Sequence, residues 1–386
     1  MTKYQKECVF VETKEDAWQG STLESGRNEM LIRKLDKHEH GKTRKLYETV
    51  FFEDTKEFVD YYYTWKTKDN TIYVAEDEDG IHAMIHLNPF DVWVNGQVQK
   101  LHYIVAVATE ATYRHQGLMS RLLEAVEKEM ADRGEAFTFL MPASEKIYAP
   151  FGYRYFAGQR SGILGSSVIG VDSFLGPGQD SDKKESGQKK RQDINEIVAA
   201  VILIPEQYIC RPVEKGEYQK LADFVNCVLQ QQYDVFVWRD AAYYERLCAE
   251  QRCQNGDVMV VVRIAEDGTE EFTGTFCTAQ EGESLEGRKD VPLNIRELIL
   301  SPEYSETAIE ALQTFCSEYG ECKVEGSNSI GIFANEMWKP LLMGKVPAGD
   351  FQLVKNEKQE KDAHKETAGE FSGCLKEKRV FINEVV

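Results

Sequence analysis

The chain of 386 residues contains no apolar segment close to the ~20 residues of a membrane-spanning helix, so we expect neither a membrane span nor a membrane partner. Charged residues such as Lys3, Glu7 and Glu12 interrupt the N-terminal segment, which argues against a secretory signal there and predicts a cytoplasmic protein. Basic residues are outnumbered, with 46 Lys and Arg against 65 Asp and Glu, a formal net charge of −19. Such an acidic chain is a poor ligand for nucleic acid and would attract cationic molecules, although solubility explains the charge equally well.

The nine cysteines lack the spacing of a zinc site. Four residues separate Cys248 from Cys253, five separate Cys316 from Cys322, and no histidine accompanies either pair. We therefore expect no metal cofactor. Most thiols, among them Cys227 and Cys316, lie in apolar patterns, which predicts buried, reduced cysteines.

The most informative segment is a strand, a turn with a single glycine and a helix. Residues 101–108 are almost continuously apolar, as is typical of a buried central strand. From Met119 onward, apolar residues recur at the spacing of one buried helical face. A helix start carries about +0.5 of an elementary charge and unpaired N–H groups, and Gly117 lets the backbone approach a ligand closely. The segment predicts a phosphate cradle, although an ordinary strand-to-helix turn has the same pattern.

Two motifs carry a family resemblance. Arg114-x-x-Gly117-x-Met119 resembles the acetyl-CoA signature of the GNAT N-acetyltransferases, Arg/Gln-x-x-Gly-x-Gly/Ala, with Met119 in place of the final small residue. The motif Tyr-x-x-Phe-Gly-Tyr, which begins at Tyr148 after the next strand, resembles the Eis-type (enhanced intracellular survival) branch of that family. The resemblance is strong over 100–156 and weaker beyond about residue 200.

The resemblance implies acetyl-CoA as the co-substrate, with its pantetheine arm paired to the strand edge and its pyrophosphate held by the cradle. The cofactor-binding residues that it implies are Val107, Ala108, Thr109, Arg114, His115, Gln116, Gly117, Leu118, Met119, Ser120 and Ser144.

The resemblance also implies two catalytic groups. Tyr148 would be the general acid, because a phenol with a pKa of about 10 stays protonated at neutral pH and can protonate a departing thiolate. The alternative is a core tyrosine whose hydroxyl is satisfied. The base would be the terminal carboxylate of Val386, whose ordinary pKa of about 3.3–3.7 desolvation would raise. A strand that simply ends is the alternative, and His102 or Glu145 could substitute as the base.

The order of predicted elements, hairpins leading into a strand–helix–strand unit, occurs twice. It predicts an α/β (α+β) protein with two tandem GNAT-like domains, each a mixed, mostly antiparallel sheet flanked by helices. The segment 301–306, directly after Leu300, contains no glycine, and its Glu303 and Glu306 would repel a pyrophosphate. We therefore expect no acetyl-CoA in the second domain. The predicted organisation is an N-terminal acetyl-CoA-binding domain at 1–165, a linker at 166–205, a degenerate GNAT-like domain at 206–335, and at 336–386 a shortened remnant of the sterol-carrier-like domain, whose end returns to the active site.

The function predicted from these features is acetyl-CoA-dependent N-acetyl transfer to a primary amine, such as an aminoglycoside, a polyamine or a lysine side chain. The family resemblance implies a homo-oligomer, with a hexamer as one form. Two alternatives stay open: an acyl-CoA-binding sensor or scaffold without catalysis, and lipid binding through a sterol-carrier-like domain.

Overall fold

The computed structural model describes residues 30–164, 207–280, 293–317, 319, 322–328, 334–347 and 379–382. By its internal contacts the chain divides into two compact units that alternate along the sequence. Unit 1 comprises Met1–Arg160, Glu214–Asp257 and Met337–Val386, and unit 2 comprises Ser161–Val213 and Val258–Glu336. The predicted second domain, 206–335, is thus divided between the two units, and the predicted linker lies outside the described residues.

The helices and strands follow the chain in this order. The helices are α1 (Arg44–Val50), α2 (Lys56–Trp65), α3 (Leu118–Asp132), α4 (Glu145–Tyr148), α5 (Tyr218–Gln232), α6 (Ala241–Cys253) and α7 (Ser305–Ser317). The strands are β1 (Leu31–Lys34), β2 (Thr71–Asp77), β3 (Gly80–Val94), β4 (Gln97–Thr109), β5 (Thr138–Leu140), β6 (Arg154–Leu164), β7 (Gln207–Pro212), β8 (Val235–Val237), β9 (Val258–Ile264), β10 (Glu270–Gln280), β11 (Leu293–Leu300), β12 (Cys322–Ser327), β13 (Ala334–Lys345) and β14 (Val380–Phe381).

The sheet of unit 1 has the strand order β1-β2-β3-β4-β5-β13-β6. The pairs β1–β2, β2–β3, β3–β4 and β5–β13 are antiparallel, and β4–β5 is parallel. This confirms the predicted mixed, mostly antiparallel sheet flanked by helices. The sequence predicts hairpins closed around residues 76–80, with an Asp-Gly turn signal, and through Asn95-Gly96. Both hairpins are present. Val94 pairs with Gln97, so Asn95-Gly96 is the second loop as predicted, whereas Asp77 pairs with Gly80, so the first loop is Glu78-Asp79 and Gly80 begins β3.

β3 is one strand of 15 residues, whereas the sequence predicts two strands, 81–87 and 92–94. Asn88-Pro89 has the composition of a turn, yet Pro89 pairs with His102 on β4. On its other edge β3 pairs with β2 as far as Leu87 and with β8 from Val92. Pro89 therefore lies in the gap between two partner strands, where a missing N–H costs no ladder hydrogen bond on that edge.

Helices cover both faces of this sheet. On one face α3 buries Leu122, Val126 and Met130 against Ile85 and other residues of β3 and β4. The helix is amphipathic, as predicted from its apolar spacing. On the other face α1 and α2 pack a second apolar cluster, which includes Leu46, Tyr62 and Met84, against β2 and β3. β4 is thus a central, buried strand.

In unit 2 the strand order is β12-β11-β10-β9-β7, and the last residues of β6 pair with β12. β11 and β12 are parallel, and α7 buries Ile309 and Leu312 among the strand residues. The sequence predicts strands at 258–264, 272–279 and 293–300 and a helix around 309–315, close to β9, β10, β11 and α7. β7 and β12 of unit 2 were not predicted, and neither were α4, α6, β6, β8 and β13. Cys316 is buried as expected, but Cys227 lies on the solvent side of α5 and is exposed, contrary to its assignment to an apolar pattern.

The described part of the chain end lies in unit 1. The sequence predicts a strand able to pair over 380–386, and of that segment Val380 and Phe381 pair with Val235 and Phe236 of β8. Within the described ranges, none of the helices has the length and apolar character required to cross a membrane.

Candidate active site

The most unusual backbone in unit 1 is a β-bulge near the end of β4. Met84 pairs with Ala108 and His86 pairs with Val105, so Ile85 lies opposite two residues of β4 instead of one. One of the two, Ala106, has φ of 50°, a left-handed conformation that a residue with a Cβ rarely adopts. The bulge turns the backbone just before the predicted acetyl-CoA-binding residues Val107, Ala108 and Thr109. Nothing in the sequence predicted it, because alanine is not a residue that marks bulges.

Beyond this point β4 has an open edge. β5 pairs with β4 only at Tyr103–Phe139 and ends at Leu140, so within the described residues the edge of β4 from Ile104 to Thr109 has no strand beside it on that side. An extended ligand with amide groups can pair with such an edge as an added strand does. Tyr103 itself is buried, and burial raises the pKa of its phenol above the ordinary value.

The connection from β4 to α3 forms the predicted turn. A short 3-10 turn at Ala111–Tyr113 is followed by two left-handed residues, His115 with φ of 62° and Gly117 with φ of 76°. α3 begins at Leu118, and the N-cap residue Gly117 provides no side-chain hydrogen bond. The N–H groups of the first turn, Leu118 to Ser120, therefore remain available for an anion.

The side chains of this turn order it from within. The Arg114 guanidinium donates to the Thr109 carbonyl at 3.2 Å, and the Gln116 amide donates to the Thr112 carbonyl at 3.2 Å. His115 is exposed. Met119, which stands in place of the family's small residue, packs partly against the α3 cluster, so its side chain turns into the core.

Tyr148 lies at the end of α4 and belongs to the same apolar cluster as Leu118, so the structure brings the predicted acid and the start of α3 together in one cluster. Only 7% of Tyr148 is exposed, and its ring meets that of Tyr153 edge-on at 6.0 Å. Ser144 is the N-cap residue of α4, but its side chain makes no capping hydrogen bond and is exposed.

Tyr153 has a structural environment. Its hydroxyl donates to Glu127 of α3 at 3.2 Å, and Glu127 also accepts from Lys345 of β13 at 2.7 Å. Burial and the neighbouring Glu127 carboxylate raise the pKa of Tyr153 well above its ordinary value, so the phenol stays neutral. Tyr153 thus joins α3 to the chain after α4.

The two alternative bases lie elsewhere. His102 is buried with Nδ1 2.6 Å from Glu135 and Nε2 2.9 Å from Arg133, residues that follow the C-terminal end of α3. Because α3 has 15 residues, that end lies about 21 Å from the cradle. Glu145 is exposed at the start of α4. Val386 lies outside the described residues, so its position relative to Tyr148 stays a prediction.

The part of the chain that the structure describes holds no cluster of three or more His, Cys, Asp or Glu side chains arranged to bind a metal ion.

Residues 31–156 match the family model described as an acetyltransferase (GNAT) domain. This segment contains β4, the cradle and Tyr148, and it supports an N-acetyltransferase. The match covers less than half of the chain. No protein of curated function matches the sequence.

Solved structures resemble the fold over most of its length. A probable N-acyltransferase from Enterococcus faecalis V583 is 14% identical, with a TM-score of 0.60 and coverage of 83% of this chain and 73% of its own. A GCN5-related N-acetyltransferase from Anabaena variabilis is 15% identical, with a TM-score of 0.55 and coverage of 82% and 73%. Eis1 from Mycobacterium abscessus is 11% identical, with a TM-score of 0.50 and coverage of 82% and 72%. At these identities the likeness shows a shared fold.

Proposed function

We propose that this chain is an acetyl-CoA-dependent N-acetyltransferase that acts on a primary amine. The observation that carries the proposal is the open edge of β4 beyond Tyr103, which contains the bulge at Ala106 and leads to the uncapped start of α3. A strand edge for amide groups and a helix start for phosphates are the two features that an acyl-CoA requires. The GNAT domain match over 31–156 supports the same co-substrate.

In this proposal the backbone of Val107–Thr109 pairs with the pantetheine arm, and the turn from Arg114 to Ser120 holds the pyrophosphate. The exposed Ser144 side chain, which makes no capping bond, is left to contact the co-substrate. The N–H groups after Gly117 act with the partial positive charge of α3, and Arg114 adds a full charge at the surface. In this proposal the backbone N–H groups supply the contacts to the pyrophosphate, so the binding does not require a metal ion held by the protein.

Tyr148 acts as the general acid and protonates the sulfur as the C–S bond breaks. Its burial in the same apolar cluster as Leu118, the first residue of α3, supports this role. The terminal carboxylate of Val386 serves as the base, directly or through water, and takes a proton from the acceptor's ammonium, so that the free amine attacks the thioester carbonyl carbon. An acceptor of the aminoglycoside, polyamine or lysine type suits the acidic chain. The Eis-type assignment, a homo-oligomer with a hexamer as one form, and a cytoplasmic location complete the proposal.

The test is an acetyl-transfer assay over a panel of amines. We expect Tyr148→Phe to lower kcat by roughly 10²-fold or more, with a smaller change in KM, because the group acts mainly in the transition state. Deletion of Val386 should lower kcat/KM most strongly at low pH, where the acceptor is mostly protonated. Full activity in both variants would contradict the assigned roles.

Tyr153→Phe is the matched control, since it removes a phenol from the same motif. We expect lower thermal stability, from loss of the bond to Glu127, with kcat within about threefold of the wild-type value. Tight acetyl-CoA binding without turnover of any amine would instead favour the non-catalytic acyl-CoA sensor.

A further inference from the structure

A buried histidine lies directly beside the predicted cradle. His82, near the start of β3, is 5% exposed, and its two ring nitrogens each contact a carboxylate. Nδ1 is 2.8 Å from Glu110, the residue after β4, and Nε2 is 2.8 Å from Asp77 at the end of β2. A carboxylate offers only acceptors, so both contacts are hydrogen bonds only if both nitrogens carry protons. The geometry therefore corresponds to an imidazolium ion.

The environment favours that state. Burial lowers the pKa of His82, but the hydrogen bonds to Glu110 and Asp77 outweigh burial, and the pKa is raised above its ordinary value. The pKa of Asp77 is lowered, chiefly by its hydrogen bond to His82. Asp79, in the turn between β2 and β3, and Tyr113 are the further titratable groups around this pair.

His82 also contacts the backbone that leads into the cradle. Its ring stacks on that of Tyr113, with centroids 3.7 Å apart and planes 13° apart. Its carbonyl accepts the Glu110 amide at 2.8 Å, and the Glu110 carbonyl accepts the Tyr113 amide at 2.9 Å. Tyr113 directly precedes Arg114, so the imidazole supports the 3-10 turn from which the cradle extends.

Charge gives the second link to the ligand. When His82 is neutral, Asp77 and Glu110 place two negative charges next to a loop proposed to hold a pyrophosphate. When His82 is protonated, its positive charge offsets one of those two negative charges. Unit 2 provides an internal comparison. There Thr273 holds the equivalent place, because its carbonyl accepts the amide of Ser301, the first residue after β11. Unit 2 has a threonine at this position, and its connection has no cradle.

We propose that protonated His82 is a positioning residue for acetyl-CoA, which holds the turn at Tyr113 in place and offsets the carboxylates beside the pyrophosphate. The inference rests on the proposed function. The pKa of His82 is raised in the folded protein, so its protonated ring stabilises the folded turn. That stabilisation is fully present below the unfolded pKa of about 6.5 and is lost as the pH rises through the folded pKa. Acetyl-CoA binding should therefore weaken at alkaline pH.

The experiment measures the Kd of acetyl-CoA by calorimetry between pH 7 and pH 9.5. This range lies above the second phosphate pKa of about 6, and acetyl-CoA, as a thioester, has no thiol that would titrate within it. The wild-type Kd should rise about fivefold or more across the range, the low end for coupling between two sites. His82→Gln should bind about fivefold more weakly at pH 7 and show a flat profile. Glu110→Gln, which leaves the imidazole in place, should move the transition to lower pH.

The matched control is His102→Gln, since His102 is equally buried and also contacts a carboxylate but lies at the far end of α3. It should keep the wild-type pH profile of binding. Nitrogen NMR of the His82 ring should show both nitrogens protonated at pH 7.

The outcomes separate the two proposals. The role of His82 is overturned if the wild-type Kd does not change with pH and the Kd of His82→Gln is the same. That result would leave the proposed acetyltransferase function unaffected. No acetyl-CoA binding by the wild-type protein at any pH overturns the proposed function, and the role of His82 with it. If His82→Gln does not fold, an unshifted profile in Glu110→Gln is sufficient to overturn the inference.

Discussion

Units 1 and 2 contain the same strand–turn–helix arrangement, but they differ in the pairing of the strand edge and in the length of the connection to the helix. In unit 1 it runs from β4 to α3, and in unit 2 from β11 to α7. Each strand carries one left-handed residue three positions before its end, Ala106 with φ of 50° and Glu297 with φ of 52°. In each case the neighbouring antiparallel strand shows a register shift at that point. The bulge is therefore a property of the fold that both units share, and it does not by itself indicate a ligand site.

The difference lies in the segment after each bulge. Eight residues, 110–117, connect β4 to α3, and four, 301–304, connect β11 to α7. β11 is paired with β12 as far as Leu298–Ser327, whereas β4 is paired with β5 only at Tyr103–Phe139. Asn328 then closes the last part of the β11 edge, accepting from the Leu300 amide and donating to the Leu300 carbonyl, both at 2.9 Å.

The comparison teaches that a bulged strand becomes a candidate acyl-CoA site only with two additions, an open edge and a connection long enough to expose a helix start. Among the described residues unit 1 has both and unit 2 has neither. That unit 2 binds no acetyl-CoA stays a prediction.

The largest effect is expected from deletion of residues 114–117, which would give unit 1 the four-residue connection of unit 2. The deletion removes Arg114 and both left-handed residues, the groups that lead into the uncapped first turn of α3. We expect acetyl-CoA binding to weaken by roughly 100-fold or more, since the anion site depends on those groups. Calorimetry measures the loss, and circular dichroism checks that the fold is retained. A variant that is folded and binds normally would show that the longer connection is not what separates the units.

A smaller effect is expected from Gly117→Ala. A Cβ at Gly117 meets nothing within 4 Å, so the cost comes from φ of 76° and not from a clash. Gly134 caps the other end of α3 with φ of 72° and equally open space, and Gly134→Ala is the matched control. Both changes should lower the free energy of unfolding by about 1–2 kcal/mol. Only Gly117→Ala should also raise the Kd of acetyl-CoA, and equal Kd values for the two variants would contradict a cradle at Gly117.

The smallest effect is expected in unit 2. Asn328→Ala leaves the Leu300 amide and carbonyl without their partners, which should cost about 1–3 kcal/mol. Asn328→Asp keeps the acceptor for the Leu300 amide but sets a carboxylate oxygen against the Leu300 carbonyl, so it should not recover the loss. Urea denaturation measures both, and acetyl-CoA binding should not change. A change in acetyl-CoA affinity would contradict the conclusion that unit 2 is not equipped to bind it.

Periodicity and turn residues predicted much of the fold. The apolar spacing of α3, the bounds of β11 and the two hairpin turns are local features, set by neighbours in sequence. The bulge at Ala106 and the single β3 through Pro89 were missed because they depend on which strands lie alongside, which no local pattern records. The sequence predicts a strand over 136–141, and β5 ends within one residue of that, at Leu140. What the pattern did not show is that this end leaves part of the β4 edge without a partner strand.

The candidate site divides in the same way. Gly117 and Tyr148 could be proposed from the sequence because motif spacing marks them, and Tyr148 lies in the same apolar cluster as Leu118, the first residue of α3. His82 was missed because its partners, Asp77 and Glu110, come from two other segments and form no motif. The proposed base, Val386, stays a prediction from resemblance.

The short β5 has a consequence for the protein without its co-substrate. Sheet edges are places where a foreign strand can add, and most proteins cover or charge them. In unit 1 the unpaired stretch of β4 lies inside the sheet, and the pantetheine arm would complete it much as Asn328 and β12 complete β11. The amide protons of β4 that face the gap should then exchange rapidly with solvent in the free protein and slowly once acetyl-CoA is bound, which would make the co-substrate a missing piece of the sheet as well as a reactant.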